Sequence, residues 1–596
     1  MSRDVDPSSF SGYTIVNPIV RKREDVGNGK AIVTLVLFFL SNVAVIFPVK
    51  IPIFHGITVT VSKLLSWTRI ISPPDGDEPQ KRRHIGLNYI SVPLFSVLLL
   101  LAIGAINGTV IRKGIVGDEG VKPINILALF ISLAYISISL DFTGLLRFSA
   151  FWVARKGGSS GRLLFLYLYV FFLVSGVIVG NDPVILSGTA FLAYFTRVTG
   201  ITPPTAWIFS QFAAANMASV VLVSSNPTNL VLSGAFSISF ISYTAHVVLP
   251  FLAAAVLVYP VLAFILFRSP TLVPRSISVD TPNSNSDAST TLVDKNGAIF
   301  GSILLAVTLG VLVGTSAIDV PVWQVTVPAA LIMLARDFWH DWHQYRKHGE
   351  REPPEEFQMH RVSSRGHIIP SQGTTVLSES TMSTGSSVLS PVPTHSADSP
   401  TRRQTDFTTY LRSQIGKLAA RFPTVVTIAQ RLPVLLVPFA FLMFILVQGL
   451  SNQGWVEIFT KWWIAWVNKT GTVGAIGGMG FISCLLCNVC GTNIGATILL
   501  ARVLQSWFAQ DPSLDPRTRD GAIYALAFGS NYGAFTLTFS ASLAGLLWRQ
   551  ILRQKGIRIR ARQFLVLNLP IAFVAMTASL GALVGEVYVV HRGTAG

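Results

Sequence analysis

Three cysteines and 29 acidic residues are all that this 596-residue chain contains, and both shortages exclude something. Three cysteines cannot build the disulfide framework of a secreted domain. Charged residues make up 13% of the chain, too few to cover a soluble surface of this size. No G-x-x-x-x-G-K-[ST] loop occurs, which speaks against ATP hydrolysis, and no nucleophile–base pair suggests an enzyme. The first 30 residues lack an apolar h-region, so no cleaved signal peptide is expected. What abounds is apolar: 51% of residues are hydrophobic and the mean hydropathy is +0.55.

Apolar runs of about 18 residues or more match the hydrocarbon core of a bilayer. They fall near 31–48, 88–106, 123–140, 162–180, 204–222, 243–267, 297–315, 319–335, 433–450, 471–487, 521–547 and 563–590. A further stretch, 51–71, is apolar but holds Lys63, and either spans or lies in the interface. Runs this long and unalternating are helices, because only helices or closed barrels satisfy the backbone in lipid. The expected fold is an all-α polytopic membrane protein with about 11–13 transmembrane helices.

A net charge of +17 suggests nucleic acid, but the charges lie in the loops and none is expected. Basic clusters at Arg21–Arg23, Lys81–Arg83, Arg155, Lys156 and Arg162, and from Arg549 to Arg562 are assigned to the cytosolic side. Two glycosylation sequons, at Asn107 and Asn468, then fall on the opposite face. Residues 270–295 and 345–408 are rich in Ser, Thr, Pro and charge and read as disordered cytosolic linkers. The stretch WHDWHQYRKH (339–348) reads as a helix leaving the membrane with snorkelling aromatic and basic side chains, rather than as a metal cluster.

Two stretches about 300 residues apart repeat one pattern. In the first, an apolar span runs into GNDPVILSGTAFL (Gly180 to Leu192) and a later one ends in SSNPTNLVLSGAF (Ser224 to Phe236). In the second, a span runs into CNVCGTNIGATILL (Cys487 to Leu500), followed by FGSNYGAFTLTFSASLAGLLW (Phe528 to Trp548). Asn181 lies 45 residues before Asn226, and Asn488 lies 43 before Asn531. A short basic-aromatic helix (Thr143 to Lys156, Trp455 to Lys469) precedes each, and a closing helix beginning near a Leu-Pro pair (Leu249-Pro250, Leu569-Pro570) follows. Such matched interruptions predict two inverted repeats, each with a re-entrant hairpin and a broken helix.

The chain then divides into a cytosolic tail (1–30), N-terminal spans (31–120), a first transport repeat (121–268), a cytosolic linker (269–296), connecting spans (297–336), a disordered cytosolic loop (337–432) and a second repeat (433–596). Irregular backbone at membrane depth is tolerated where it lines protein or a watery cavity. Half-helices restarting there direct N–H groups at an anion, while freed carbonyls with Asn, Ser and Thr suit a coupling cation. Asn181, Ser225, Asn226, Thr228, Asn488, Thr492, Asn493, Ser530 and Asn531 are the expected lining. Asp182 is the only carboxylate at either tip and the expected carrier of H⁺ or Na⁺. Asp141 and Glu586, near span ends, read as solvated interfacial acids.

These residues resemble the ion-transporter superfamily of arsenite permeases (ArsB), NhaD-type sodium/proton antiporters and citrate and dicarboxylate carriers, with the ArsB branch nearest. The resemblance lies in Gly180, Asn181 and Asp182 before Pro183, and in Gly529, Ser530 and Asn531 leading to Ser542, Leu543 and Ala544 and to Leu546, Leu547 and Trp548. It covers roughly 120–270 and 430–590. The second hairpin departs from the family's Asn-Asn type motif, with Cys487, Asn488, Val489, Cys490, Gly491, Thr492 and Asn493. The resemblance implies an elevator-like or rocking carrier with its substrate between the hairpin tips. The Ser-, Thr- and Pro-rich loop and the sequons suggest a fungal member.

All three cysteines, Cys484, Cys487 and Cys490, form one CxxCxxC. Three thiolates suit a trivalent metalloid, but thiols in an apolar helix resist ionisation; small apolar packing residues are the alternative. The expected function is secondary active transport of a small inorganic or organic anion, arsenite-type or citrate/dicarboxylate-type, in a plasma or vacuolar membrane. A Na⁺/H⁺ antiporter or an anion channel on the same fold is the alternative. No cofactor beyond the coupling H⁺ or Na⁺ and no resident metal is expected; the lipid bilayer and a second copy in a homodimer are the expected partners.

Overall fold

Without water to bond with, the backbone of a long apolar run must satisfy itself within a helix, and the computed structural model is built almost wholly of helices. It describes residues 26–46, 49–52, 66, 68, 84–117, 122–277, 292–315, 320–348, 407–489 and 492–592. Seven helices among these are long and apolar enough to cross a membrane, as expected of an integral membrane protein. The runs near 31–48, 88–106, 204–222 and 521–547 form helices of 18 residues or fewer, and that near 319–335 falls largely within the 27-residue helix Val322–His348. The one sheet among the described residues is a two-stranded ribbon of Val49–Pro52 with His84–Leu87.

Three N-terminal helices, α1 (Gly29–Ile46), α2 (Ser91–Ala102) and α3 (Gly108–Val116), lead into the first repeat: α4 (Pro123–Phe142), α5 (Leu145–Lys156), α6 (Gly161–Val179), α7 (Asn181–Val198), α8 (Thr205–Ala218), α9 (Pro227–Phe236) and α10 (Phe240–Pro260). Two connecting helices, α11 (Lys295–Thr315) and α12 (Val322–His348), precede α13 (Phe407–Arg421) and α14 (Pro423–Arg431). The second repeat is α15 (Leu436–Asn452), α16 (Trp455–Val489), α17 (Asn493–Gln510), α18 (Pro516–Gly533), α19 (Leu543–Gln554) and α20 (Ala561–Val590). Gly471, at φ +65°, breaks α16 in two, so its parts answer to α5 and α6.

In each repeat a hairpin (α6 and α7; late α16 and α17) packs on a broken helix (α8 and α9; α18 and α19). The second half-helices are exchanged: α9 packs on α17, and α19 on α7. His246 near the start of α10 meets Glu586 near the end of α20 at 2.7 Å, and Ser579 Oγ donates to Pro250 O at 2.9 Å. The closing helices are therefore antiparallel, as inversion requires. They begin at Phe240 and Ala561, and Pro250 and Pro570 lie inside them, not at their starts as the sequence suggested.

Close helix approach depends on small residues. A Cβ on Gly533 of α18 would lie 2.8 Å from Cys487 Sγ and 2.9 Å from Cys484 Cα, and one on Gly529 would collide with Ser483 Oγ. In the first repeat Gly176 of α6 meets Ala218 Cβ at 2.8 Å in the same way. Cys484 and Cys487 are buried in this seam, with Cys487 Sγ 3.7 Å from Ser530 O and Cys484 Sγ 3.4 Å from Thr536 Oγ1. Both sit where the two helices approach closely. Cys490 lies outside the described residues.

The described residues of 1–51, 84–337 and 428–596 form one compact unit, and those of 52–83 and 338–427 a second. Within the second, Arg421 lies 4.4 Å from the Trp342 ring centroid, and Asp341 Oδ2 accepts from Thr424 N (2.9 Å) and Val425 N (3.2 Å). The carboxylate thus satisfies the first free donors of α14. The WHDWHQYRKH stretch is helical.

Three expectations change. Of the loop expected over 337–432, residues 337–348, 407–421 and 423–431 are helical, and 349–406 lie outside the described residues. Of the expected 269–296 linker, residues 269–277 are held against the starts of α6 and α8: Ile277 N donates to Ser159 O at 2.8 Å and Trp207 Nε1 to Leu272 O at 3.0 Å. Most of 51–71 is outside the described residues. At the N-terminus, Lys30 Nζ donates to Gly104 O (3.2 Å) and Trp455 Nε1 to Ala31 O (2.8 Å). Helix α1 therefore starts at the end that carries Asn107, whereas the charge reading put the tail and that sequon on opposite faces. Charge counts do not see that α1 and α2 are antiparallel neighbours.

Replacing Gly533 by Ala should overpack the α16–α18 seam and cost about 1–3 kcal/mol, read as a lower melting temperature of the detergent-solubilised protein. Gly477→Ala, where a Cβ meets nothing within 4 Å, should be neutral or slightly stabilising.

Candidate functional site

Both broken helices unwind where a polar residue and an extended backbone replace the helical turn. Pro227 keeps Asn226 out of the helical region, at φ −150° and ψ 139°. Ser542 is extended in the same way, at φ −146° and ψ 156°. Each caps the half-helix that follows: Asn226 Oδ1 accepts from Thr228 N (3.2 Å) and Ser542 Oγ from Gly545 N (3.1 Å).

Asn531, fully buried two residues before the end of α18, joins the two breaks. Its Oδ1 accepts from Ser219 Oγ (2.8 Å) and Asn226 Nδ2 (2.9 Å). Its Nδ2 donates to Asn229 Oδ1 (2.7 Å) and Ala527 O (2.9 Å). Both lone pairs and both N–H groups are used. Asn229 Nδ2 in turn donates to Ser219 O (2.7 Å) and Leu222 O (2.9 Å), holding carbonyls that the break released.

Asn488 performs a local version of this task. Its Nδ2 donates to Cys484 O (3.0 Å) and Gly533 O (3.2 Å), and its Oδ1 accepts from Leu537 N, Thr538 N and Thr538 Oγ1 at 3.0–3.2 Å. The second break is thereby fastened to its own hairpin. At the first hairpin, a Cβ on Gly180 (φ +91°) would meet Ser225 O at 3.5 Å, and Ser225 Oγ donates to Val177 O at 3.3 Å. Ser530 Oγ turns back to Ala527 O at 3.0 Å, and Thr228 Oγ1 reaches Asn229 Oδ1 at 3.5 Å.

The residues named from sequence thus separate into two groups. Ser225, Asn226, Thr228, Asn488, Ser530 and Asn531 bond to protein. Thr492 caps α17 through Gly495 N at 3.4 Å. Asn181 and Asn493, each the first residue of a return arm, are buried, yet among the described residues nothing hydrogen-bonds to either carboxamide. Asp182 is half-buried and its carboxylate meets neither a cation nor a hydrogen-bond donor among the described residues. Of the four helices that restart at the breaks and tips, α9, α17 and α19 are capped by their own side chains, and α7 is not. Its first turn therefore keeps free N–H groups beside a free carboxylate.

Structural equivalence differs from the spacing. The return arms begin at Asn181 and Asn493, and Asn216 and Asn531 each lie two residues before the end of α8 and α18. Each donates to the carbonyl four residues back, 2.8 Å for Asn216 and 2.9 Å for Asn531. The counterpart of Asn226 is Ser542, not Asn531. Sequence reasoning missed Ser219, Asn216 and Asn229; the last stands in plain view in SSNPTNL, third in a helix that Pro227 opens.

Asp141 is also unlike its expectation. It is buried rather than solvated, accepts from Ser187 Oγ on the return arm α7, and has Arg431 Nη1 3.8 Å away. A helix end read from sequence gave no sign that another helix covers it. Asn107 is exposed and caps α3, accepting from Val110 N at 3.1 Å; Asn468 is exposed near the end of the first part of α16.

Residues 80–347 match a family model described as Citrate transporter, and residues 415–588 one described as Arsenical pump membrane protein. The chain is similar to both families, one in each part. Curated relatives include the arsenical pump membrane proteins of Escherichia coli (32% identical over 146 residues, 24% of this chain and 34% of that protein) and of its strain K12 (28% over 215 residues, 35% and 48%). The chain spans about a third to a half of the length of these relatives. Among solved structures it is similar to the YdaH transporter of Alcanivorax borkumensis (14% identity, 94% of this chain and 99% of that chain, TM-score 0.46). It is also similar to MtrF of Neisseria gonorrhoeae (12%, 93% and 93%, TM-score 0.38).

Asn531→Ala should cost about 3 kcal/mol, since it leaves buried partners unsatisfied in both repeats. Asn181→Ala and Asn493→Ala should stay within about 0.5 kcal/mol of the parent. Thermal unfolding of the three purified variants checks the contrast.

Proposed function

We propose that this chain is a secondary carrier of a small anion, bound between the starts of α7 and α17 and coupled to a proton or sodium gradient. The observation that carries the reading is the unspent bonding capacity at those two positions: among the described residues, nothing hydrogen-bonds to the side chains of Asn181, Asn493 and Asp182, unlike those of the other named polar residues. The similarity to citrate transporters in one part and to arsenical pumps in the other supports anion transport.

The electrostatics suggest why transport would be coupled. An uncapped helix start carries roughly half a positive charge, too little to hold an anion beside the full negative charge of Asp182. A proton or Na⁺ on Asp182 removes that repulsion, so cation and anion bind together more readily than either alone. A substrate that is neutral when bound, such as arsenious acid, would instead compete with the cation for the same groups.

Reconstituted into proteoliposomes and offered arsenite, citrate, succinate, sulfate and phosphate under imposed proton and sodium gradients, the protein should accumulate one of them against its gradient. Asp182→Asn should abolish that accumulation. Undiminished accumulation in that variant would remove Asp182 from the mechanism, and currents reversing at one anion's equilibrium potential would point to a channel.

In this reading Cys484 and Cys487, buried in the α16–α18 seam, take no part in substrate binding. Replacing all three cysteines with alanine should leave transport within about threefold of the parent; loss of arsenite transport alone, with other anions still moved, would reinstate a thiol site.

A further inference from the structure

Away from the tips, titratable side chains gather where α10 and α20 meet the start of α18. Helix α20 is 30 residues long, about 45 Å. This cluster lies at the end opposite the basic turn after α19, where Arg197 Nη2 bonds Lys555 O at 3.2 Å. If the basic turn is cytosolic, the cluster faces outward.

His246 Nδ1 of the first repeat is 2.7 Å from Glu586 Oε1 of the second, with side chains 20% and 10% exposed. The other carboxylate oxygen, Glu586 Oε2, is sealed from solvent and has no hydrogen-bond partner among the described residues. Toward the surface, Asp520 Oδ2 lies 3.1 Å from His591 Nε2 and within electrostatic reach of His246. Toward the centre, the His246 ring leans on Tyr524 at 4.6 Å, and Tyr524 faces Tyr243 at 6.3 Å. Tyr532, adjacent to Asn531, has its hydroxyl 3.0 Å from Ser579 Oγ. The surrounding charges are Arg517, which donates to His591 O at 2.7 Å and lies over Tyr588, and Arg519, which lies over Phe508.

We propose that the His246–Glu586 pair is a proton-binding site, reached from the outer face through Asp520 and His591, and that proton binding there loosens the contact between the two repeats. The proposal rests on the carrier reading above for the use to which the proton is put, not for its binding. A buried carboxylate lone pair left without a donor is costly. Here Glu586 Oε2 is bare, and it sits where an added proton costs the fewest existing bonds. In this scheme one proton is shared between His246 Nδ1 and Glu586 Oε1 at rest; a second, taken from outer water, protonates Oε2 and leaves an imidazolium donating to a neutral carboxyl, so the pair gains one positive charge and the inter-repeat ion-pair attraction is lost. On outer alkalinisation the same proton returns to water by way of His591 and Asp520.

Infrared difference spectra of the full-length protein in lipid, recorded across a pH titration, test this without any substrate. The parent should show a protonated-carboxyl C=O band on acidification. Glu586→Gln should lack it, and His246→Gln should move its midpoint by about one pH unit. The full parental band in Glu586→Gln, or an unmoved midpoint in His246→Gln, would overturn the site. If Glu586→Gln yields no monodisperse protein, the His246→Gln midpoint decides. Arsenite, citrate and succinate flux measured on the same proteoliposomes keeps the two readings apart: the band without any flux overturns the carrier reading and supports the proton site.

Discussion

One carboxamide, that of Asn531, is bonded to both repeats at the depth where each is unwound. Unwinding a helix inside a membrane releases backbone groups that lipid cannot satisfy, so a break persists only if side chains take over the lost bonds. Asn226 and Asn229 do so at the first break, and Asn531 holds both of them across the repeat boundary by bonding their side chains and that of Ser219. The exchanged packing of α9 on α17 and α19 on α7 brings these groups together, and the antiparallel α10–α20 pair brackets the same centre. The first break is thus tied to the second repeat, whereas the second is fastened within its own repeat by Asn488.

The two halves spend their polar groups differently. In the second, Asn488 fastens residues 537 and 538 to the hairpin, and the α16–α18 seam is closed by glycines set against Ser483 and Cys487. In the first, the hairpin tip meets its break through Gly180 and Ser225 backbone, while Gln211 holds the return arm by donating to Val184 O at 3.0 Å and accepting from Thr189 Oγ1 at 3.1 Å. The first tip is thus steadied from behind and left unbonded in front. The Cys484 and Cys487 pair of the second hairpin has a structural reading: it supplies small residues for a close crossing.

Helical class, duplication and the breaks were legible because each has a local cause: apolar length, Pro227, and the clustering of Gly, Asn and Ser. Equivalence between the repeats was not. Equal spacing aligned Asn226 with Asn531, yet Asn226 begins a half-helix and Asn531 ends one, and the spacings of 45 and 43 residues coincide only because asparagine is used at every break. Partners across the fold were equally hidden. Asp141 looked like a solvated helix end because Ser187 and Arg431 are 46 and 290 residues away in sequence, and no periodicity reports such a contact. Which asparagine is bonded and which is free is likewise a tertiary fact.

That last distinction bears on how a binding site is recognised in such a chain. Polar residues at a membrane break are needed first to satisfy the backbone, so their presence alone marks a break, not a ligand. Asn488 and Asn531 have no capacity left to bind anything without first releasing the chain. Among the described residues the side chains of Asn181, Asn493 and Asp182 hold nothing in place. A buried carboxamide or carboxylate that stabilises no other group is a net cost to folding; that two such carboxamides stand at equivalent positions, one of them beside an equally unspent carboxylate, is what a pair of binding groups in an inverted repeat would require.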